Sequence, residues 1–74
     1  MSHAFHPRWP NGDRSTMMLD DGDRALVETW PRQVGLSITV KDQLTKKIWL
    51  VERAPCGLPR CNCDAVVVRE VKPA

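Results

Sequence analysis

The sequence predicts an all-β domain: a small antiparallel sheet of four to five short strands, a meander or a small open barrel, behind an irregular N-terminal arm. Three observations predict it. The stretch "LSITVKD" alternates cleanly, with Leu36, Ile38 and Val40 on one face and Ser37, Thr39 and Lys41 on the other, which is the period of a half-buried strand. The stretch "AVVVREV" is rich in β-branched residues, which suit a pleated surface. No window shows an extended amphipathic helical period; "DRALVETW" could make a turn or two, but Thr29, Trp30 and Pro31 discourage further growth.

Residues 1–14 read as the arm. They carry two prolines, a glycine, two histidines, Phe5 and Trp9, with neither helical nor strand period. Pro7 and Pro10 each bias the preceding residue toward extended backbone. Residues 15–72 read as one small β domain. Its first part, "STMMLDDGDRALVETW", is expected to run strand, turn, strand, because Asp21-Gly22 is a tight-turn pair. Asp20, Asp21 and Asp23 then form a solvated turn. A calcium loop would need a distal bidentate Glu at a fixed distance, and none follows. "QLT" turns the alternating strand around, and "KKIWLVERA" is the next one. Its centre, Ile48 to Val51, is apolar on both faces, as in a central or covered strand. Residues 55–64 form a cysteine-containing loop before the last strand.

A chain of 74 residues is one domain with a thin core, burying roughly 60% of its unfolded surface. Net charge is +2, from 11 basic and 9 acidic residues, interspersed rather than blocked, so the composition does not demand nucleic acid. No apolar run approaches the roughly 20 residues of a membrane span. The N-terminus lacks an apolar signal region, which makes the cytoplasm, where thiols stay reduced, the expected location.

All three cysteines lie in "CGLPRCNC", at Cys56, Cys61 and Cys63. Structural zinc takes four ligands, commonly from paired knuckles. Here a single cluster would need its fourth ligand from His3, His6 or Asp64. Pro55, Gly57 and Pro59 already account for an ordered turn. Reduced loop cysteines without a cofactor are therefore the expectation, and zinc on Cys56, Cys61 and Cys63 is the alternative. An odd cysteine count also opposes a closed disulfide framework. A catalytic thiol needs a neighbouring base, and the histidines sit in the arm. No enzyme is expected, since so small a scaffold cannot support an active site's outer shell.

The remaining candidates are surface anchors. Trp49, in mid-strand, belongs to the core or lids one sheet face, and Trp30, before Pro31, caps the sheet end. Trp9 either tucks into the core or anchors a partner, since Trp and Arg dominate interface hot spots. The expected partner contacts are His6, Arg8 and Trp9 on the arm, with Arg53, Leu58 and Arg60 around the loop.

The arm "AFHPRW", followed by "ALVETW", "LSITVKD", "KKIWLVER" and "AVVVREV", resembles in size and layout the small bacteriophage proteins that bind host bacterial RNA polymerase, of the kind made by a Xanthomonas phage. The resemblance spans the chain in outline. It implies a small sheet domain that blocks initiation at host promoters and promotes read-through of terminators. It assigns no role to any single residue. Its partner would be polymerase subunits, with nucleic acid secondary and neither a membrane nor a small-molecule substrate involved. A zinc-stabilised nucleic-acid-binding module is the competing expectation.

Overall fold

The computed structural model describes residues 2–55 and 64–72. Among these the elements run β1 (His3–Phe5), β2 (Met17–Leu19), α1 (Asp21–Thr29), β3 (Ser37–Lys41), β4 (Ile48–Ala54) and β5 (Asp64–Val71). The fold is mostly β, in two small antiparallel sheets, with one short helix.

The helix corrects the all-β expectation. "LDDGDRALVETW" is not a turn followed by a strand. Asp20 is extended (φ −79°, ψ 179°) and its carboxylate accepts the Asp23 N–H at 2.7 Å, which satisfies an orphan donor of the first turn. Asp21 and Asp23 add negative charge at the positive end of the helix dipole. One turn on, Arg24 Nε donates to Glu28 Oε1 at 2.7 Å, a stabilising i,i+4 pair. Trp30 leaves helical geometry (φ −71°, ψ 114°), as the residue before Pro31 must. Gly22 lies inside the first turn, where its tight-turn signal is overridden.

The arm is also more regular than expected. β1 pairs antiparallel with β2, His3 opposite Leu19 and Phe5 opposite Met17. Further on, Arg8 forms a parallel bridge with Val66: its N–H donates to the Ala65 carbonyl and its own carbonyl accepts from the Val67 N–H, both at 2.8 Å. Hydrogen bonding to β5 overrides the lack of side-chain period here.

The second sheet is a three-stranded meander, in the order β3-β4-β5, so the five strands are split between two sheets instead of forming the single sheet of four to five strands expected. β4 is central, which explains its apolar residues on both faces. Ile38 opposes Val51 and Val40 opposes Trp49. Val51 opposes Val67 and Arg53 opposes Ala65, with an irregularity at Leu50/Val51. The sheets meet at two seams, the Arg8 bridge and a bond from the Gln43 N–H to the Met18 carbonyl at 2.7 Å. At the second seam buried Asp42 accepts from the N–H groups of Met18 (3.2 Å) and Leu44 (3.0 Å). Met17, Leu19, Trp30, Val40, Val51, Ala65 and Val67 form the core between them. Among the described residues no helix is long and apolar enough to cross a membrane.

Candidate interaction surface around Trp9 and Asp64

Bridging Arg8 to β5 brings the arm to the end of the sheet where the cysteine loop leaves and returns. Ala54 and Asp64, the last residue of β4 and the first of β5, oppose each other there. Trp9 follows directly. Its N–H donates to the Asp13 carbonyl and its carbonyl accepts from Gly12, both at 2.8 Å. Gly12 sits at φ 85°, a conformation that glycine adopts without strain. The indole Nε1–H donates to the Ser15 carbonyl at 2.9 Å. Residues 9–15 thus form a loop that satisfies much of its own hydrogen bonding.

The Trp9 ring meets Trp49 edge-to-face, with centroids 4.9 Å apart and planes at 85°, a favoured aromatic geometry. Trp9 is only half-buried. It lines an open groove of about 480 Å³ together with Pro10, Asn11, Asp13 and Ser15. Such a groove offers an indole face and polar edges to one inserted side chain or a short peptide segment.

An ion network includes Arg14, which lies between the groove residues Asp13 and Ser15 in the chain. Arg14 clamps Asp64, with Nη2–Oδ2 at 2.7 Å and Nη1–Oδ1 at 3.4 Å; Arg8 Nε stands 3.9 Å from the same carboxylate. Burial pushes the Asp64 carboxyl up, but its bond and charge pairing with Arg14, the Ala65 N–H and Arg8 together hold it below the ordinary value. The Asp64 partner in turn raises Arg14. Asp13 is lowered by the Ser15 hydroxyl and then by the Arg14 N–H. The carboxylates of this end are therefore fixed as anions and already partnered.

Of the expected contact residues, Arg8 and Trp9 lie together on this surface. His6 is exposed, with Nδ1 3.2 Å from the Thr16 hydroxyl. Arg53 is elsewhere: only 7% exposed, it stacks its guanidinium 3.8 Å from the Trp30 ring centroid and donates to the Trp30 carbonyl at 3.3 Å. β4 turns this side chain inward, so it builds the core and is not presented to a partner. Leu58, Arg60 and the three candidate zinc ligands, Cys56, Cys61 and Cys63, lie outside the described residues. Of the proposed fourth ligands, Asp64 is held by Arg14, while His3 contacts Asp21 through Nε2 at 2.6 Å and Arg24 through Nδ1 at 3.2 Å. Sequence reasoning did not single out Arg14, Asp13 or Ser15 for this surface. Arg14 and Asp64 are fifty positions apart, and no local pattern links them.

No family model, no curated protein and no solved structure matches this chain.

Proposed function

We propose that this chain is a non-enzymatic binding protein, a phage-type regulator that grips bacterial RNA polymerase in the host cytoplasm and inhibits initiation, promotes antitermination, or does both. The observation that carries the binding reading is the half-buried Trp9, held edge-to-face with Trp49 and lining an open groove, with Arg8 preceding it in the chain. A rigid aromatic anchor with a neighbouring arginine is the combination that concentrates binding energy in protein interfaces. Pre-ordering of loop 9–15 lowers the entropy lost on association. Polymerase as the partner rests on the resemblance of the layout to phage regulators. Binding one polymerase conformation better than the others would bias its cycle without any chemistry.

The test uses purified, nuclease-treated bacterial RNA polymerase and the labelled protein. A complex is expected that Trp9→Ala weakens about thirty-fold, the loss of one hot spot of about 2 kcal/mol. Arg8→Ala, which keeps the backbone bridge to β5, is expected to weaken it less. Circular dichroism confirms that both variants fold. Absence of a complex, or a complex indifferent to both folded variants, refutes the reading.

A further inference from the structure

The opposite end of the β3-β4-β5 sheet has a different character. All four lysines of the chain, Lys41, Lys46, Lys47 and Lys72, gather there. Lys41 opposes Ile48, and Ile48 opposes Val71, the last residue of β5. Lys46 and Lys47 belong to the turn between β3 and β4, and Lys72 follows Val71. Arg69 opposes Leu50 two steps inward, beyond the Trp49–Glu70 pair. All five cations are exposed. None of them forms an ion pair among the described residues. Two nearby acids are engaged with backbone: Asp23 accepts the Lys41 N–H at 2.8 Å, and buried Asp42 holds Met18 and Leu44; a third, Glu70, opposes Trp49 between Arg69 and Val71.

A second observation marks the same turn. Lys46 has φ 64°, and it is the one non-glycine residue with positive φ among those described. The hairpin closes through a bond from the Lys46 N–H to the Asp42 carbonyl and another from the Asp42 N–H to the Lys47 carbonyl, both at 2.8 Å. Glycine or asparagine fills such a left-handed site with less strain. A lysine held there in spite of its strain points to use of its charge.

We infer that the lysine end binds the phosphate backbone of duplex nucleic acid without reading its sequence. The chemistry of the patch fits that ligand. It offers point charges, with the exposed hydroxyls of Thr39 and Thr45 beside them, the groups that contact phosphate oxygens. A protein partner would call for an aromatic anchor, and the exposed residues of this patch include no aromatic side chain. A bilayer would call for several inserted apolar side chains, whereas the turn presents Leu44 alone, 67% exposed. The patch shares no lining residue with the Trp9 groove, so different variants test the two.

The test is fluorescence anisotropy with a labelled 20-base-pair duplex of arbitrary sequence, titrated from 50 to 200 mM salt. Binding is expected to be weak, with Kd about 10⁻⁴–10⁻⁶ M near physiological salt, and to fall steeply as salt rises. Lys46→Gln, Lys47→Gln and Lys72→Gln are each expected to weaken it about five- to ten-fold at 0.1 M salt and to reduce the log–log salt slope by about 0.9. Arg32→Gln, an equal loss of charge in the connection entering β3 at its far end, is expected to leave it unchanged. Lys46→Gly separates binding from folding: it should raise Tm by relieving the backbone while weakening duplex binding as Lys46→Gln does. The inference is overturned by no binding at 50 mM salt. Equal losses in Arg32→Gln and the lysine variants overturn it too, since they would show net charge alone at work. So does binding to phosphatidylserine vesicles, or to an acidic protein, in place of the duplex.

Discussion

The two ends of the three-stranded sheet treat positive charge in opposite ways. At the Asp64 end, Arg14 and Arg8 converge on one carboxylate, and Trp9, which follows Arg8, reaches along the sheet to Trp49. At the lysine end, five exposed cations stand without an anionic partner among the described residues. The first arrangement spends its electrostatics internally and leaves shape and an indole face for a partner. The second leaves its charge available. Recognition at the first end should thus depend on packing and be tolerant of salt, and recognition at the second should be strongly salt-dependent.

The largest expected effect comes from the cation buried furthest. Arg53→Ala removes the guanidinium under Trp30 and leaves the Trp30 carbonyl without that donor. It should cost about 3 kcal/mol, as deletion of a buried, partnered side chain does, whereas Arg8→Ala should cost less than about 1 kcal/mol, as at an exposed ion pair. Urea titrations of both variants check the ordering. Equal costs would show that Arg53 is not the core element its burial indicates.

A middle-sized effect is expected at Asp64. Asp64→Asn, which removes the charge that neutralises Arg14 and Arg8, should lower stability by about 1 kcal/mol and make the Asp64 end resemble the lysine end. The pH dependence has a definite sign. Asp64 ionises more easily folded than unfolded, its value lying below the ordinary 3.8. Its contribution is therefore fully present above about pH 4 and is lost as pH falls through the depressed folded value. Thermal melts between pH 2 and 5 should show a shallower decline in Asp64→Asn than in the parent. Some slope should persist, because Asp13 and Asp21, lowered by Ser15 and His3 respectively, titrate in the same window. Identical slopes would remove Asp64 from the account.

The smallest effect is expected at the lysine end. Lys47→Gln and Lys72→Gln should change stability by less than about 0.5 kcal/mol, the usual range for surface substitutions, because no partner is lost. Destabilisation beyond that would reveal a structural role and erase the contrast between the ends.

How much of this was legible follows from how local each signal is. β3, β4 and β5 were readable because alternation and β-branching act residue by residue within each strand. The helix was misread because Asp21-Gly22 carries a strong turn signal. The competing signal was present in Asp20 as an N-cap, with acids in the first turn and Arg24 placed to meet Glu28. The small groove around Trp9 depends on a loop closed by Trp9, Asp13 and Ser15, and only the first of these stood out. Arg53 looked like an interface arginine beside an exposed loop, and alternation along β4 sent it inward instead.

The sequence by itself determined the meander, since strand period and turn chemistry are local properties. It also determined that the lysines fall near the ends of strands. Tertiary structure alone decided that those lysines share one end, because strand register sets residues far apart in sequence side by side. It alone decided that the arm becomes a strand, since an extended backbone without side-chain period is ordered only by the hydrogen bonds that β2 and β5 supply. It also decided which arginines are neutralised: Arg14 meets Asp64 across fifty positions, and Arg53 meets Trp30 across twenty-three, pairings that exist only once the chain has closed around its core.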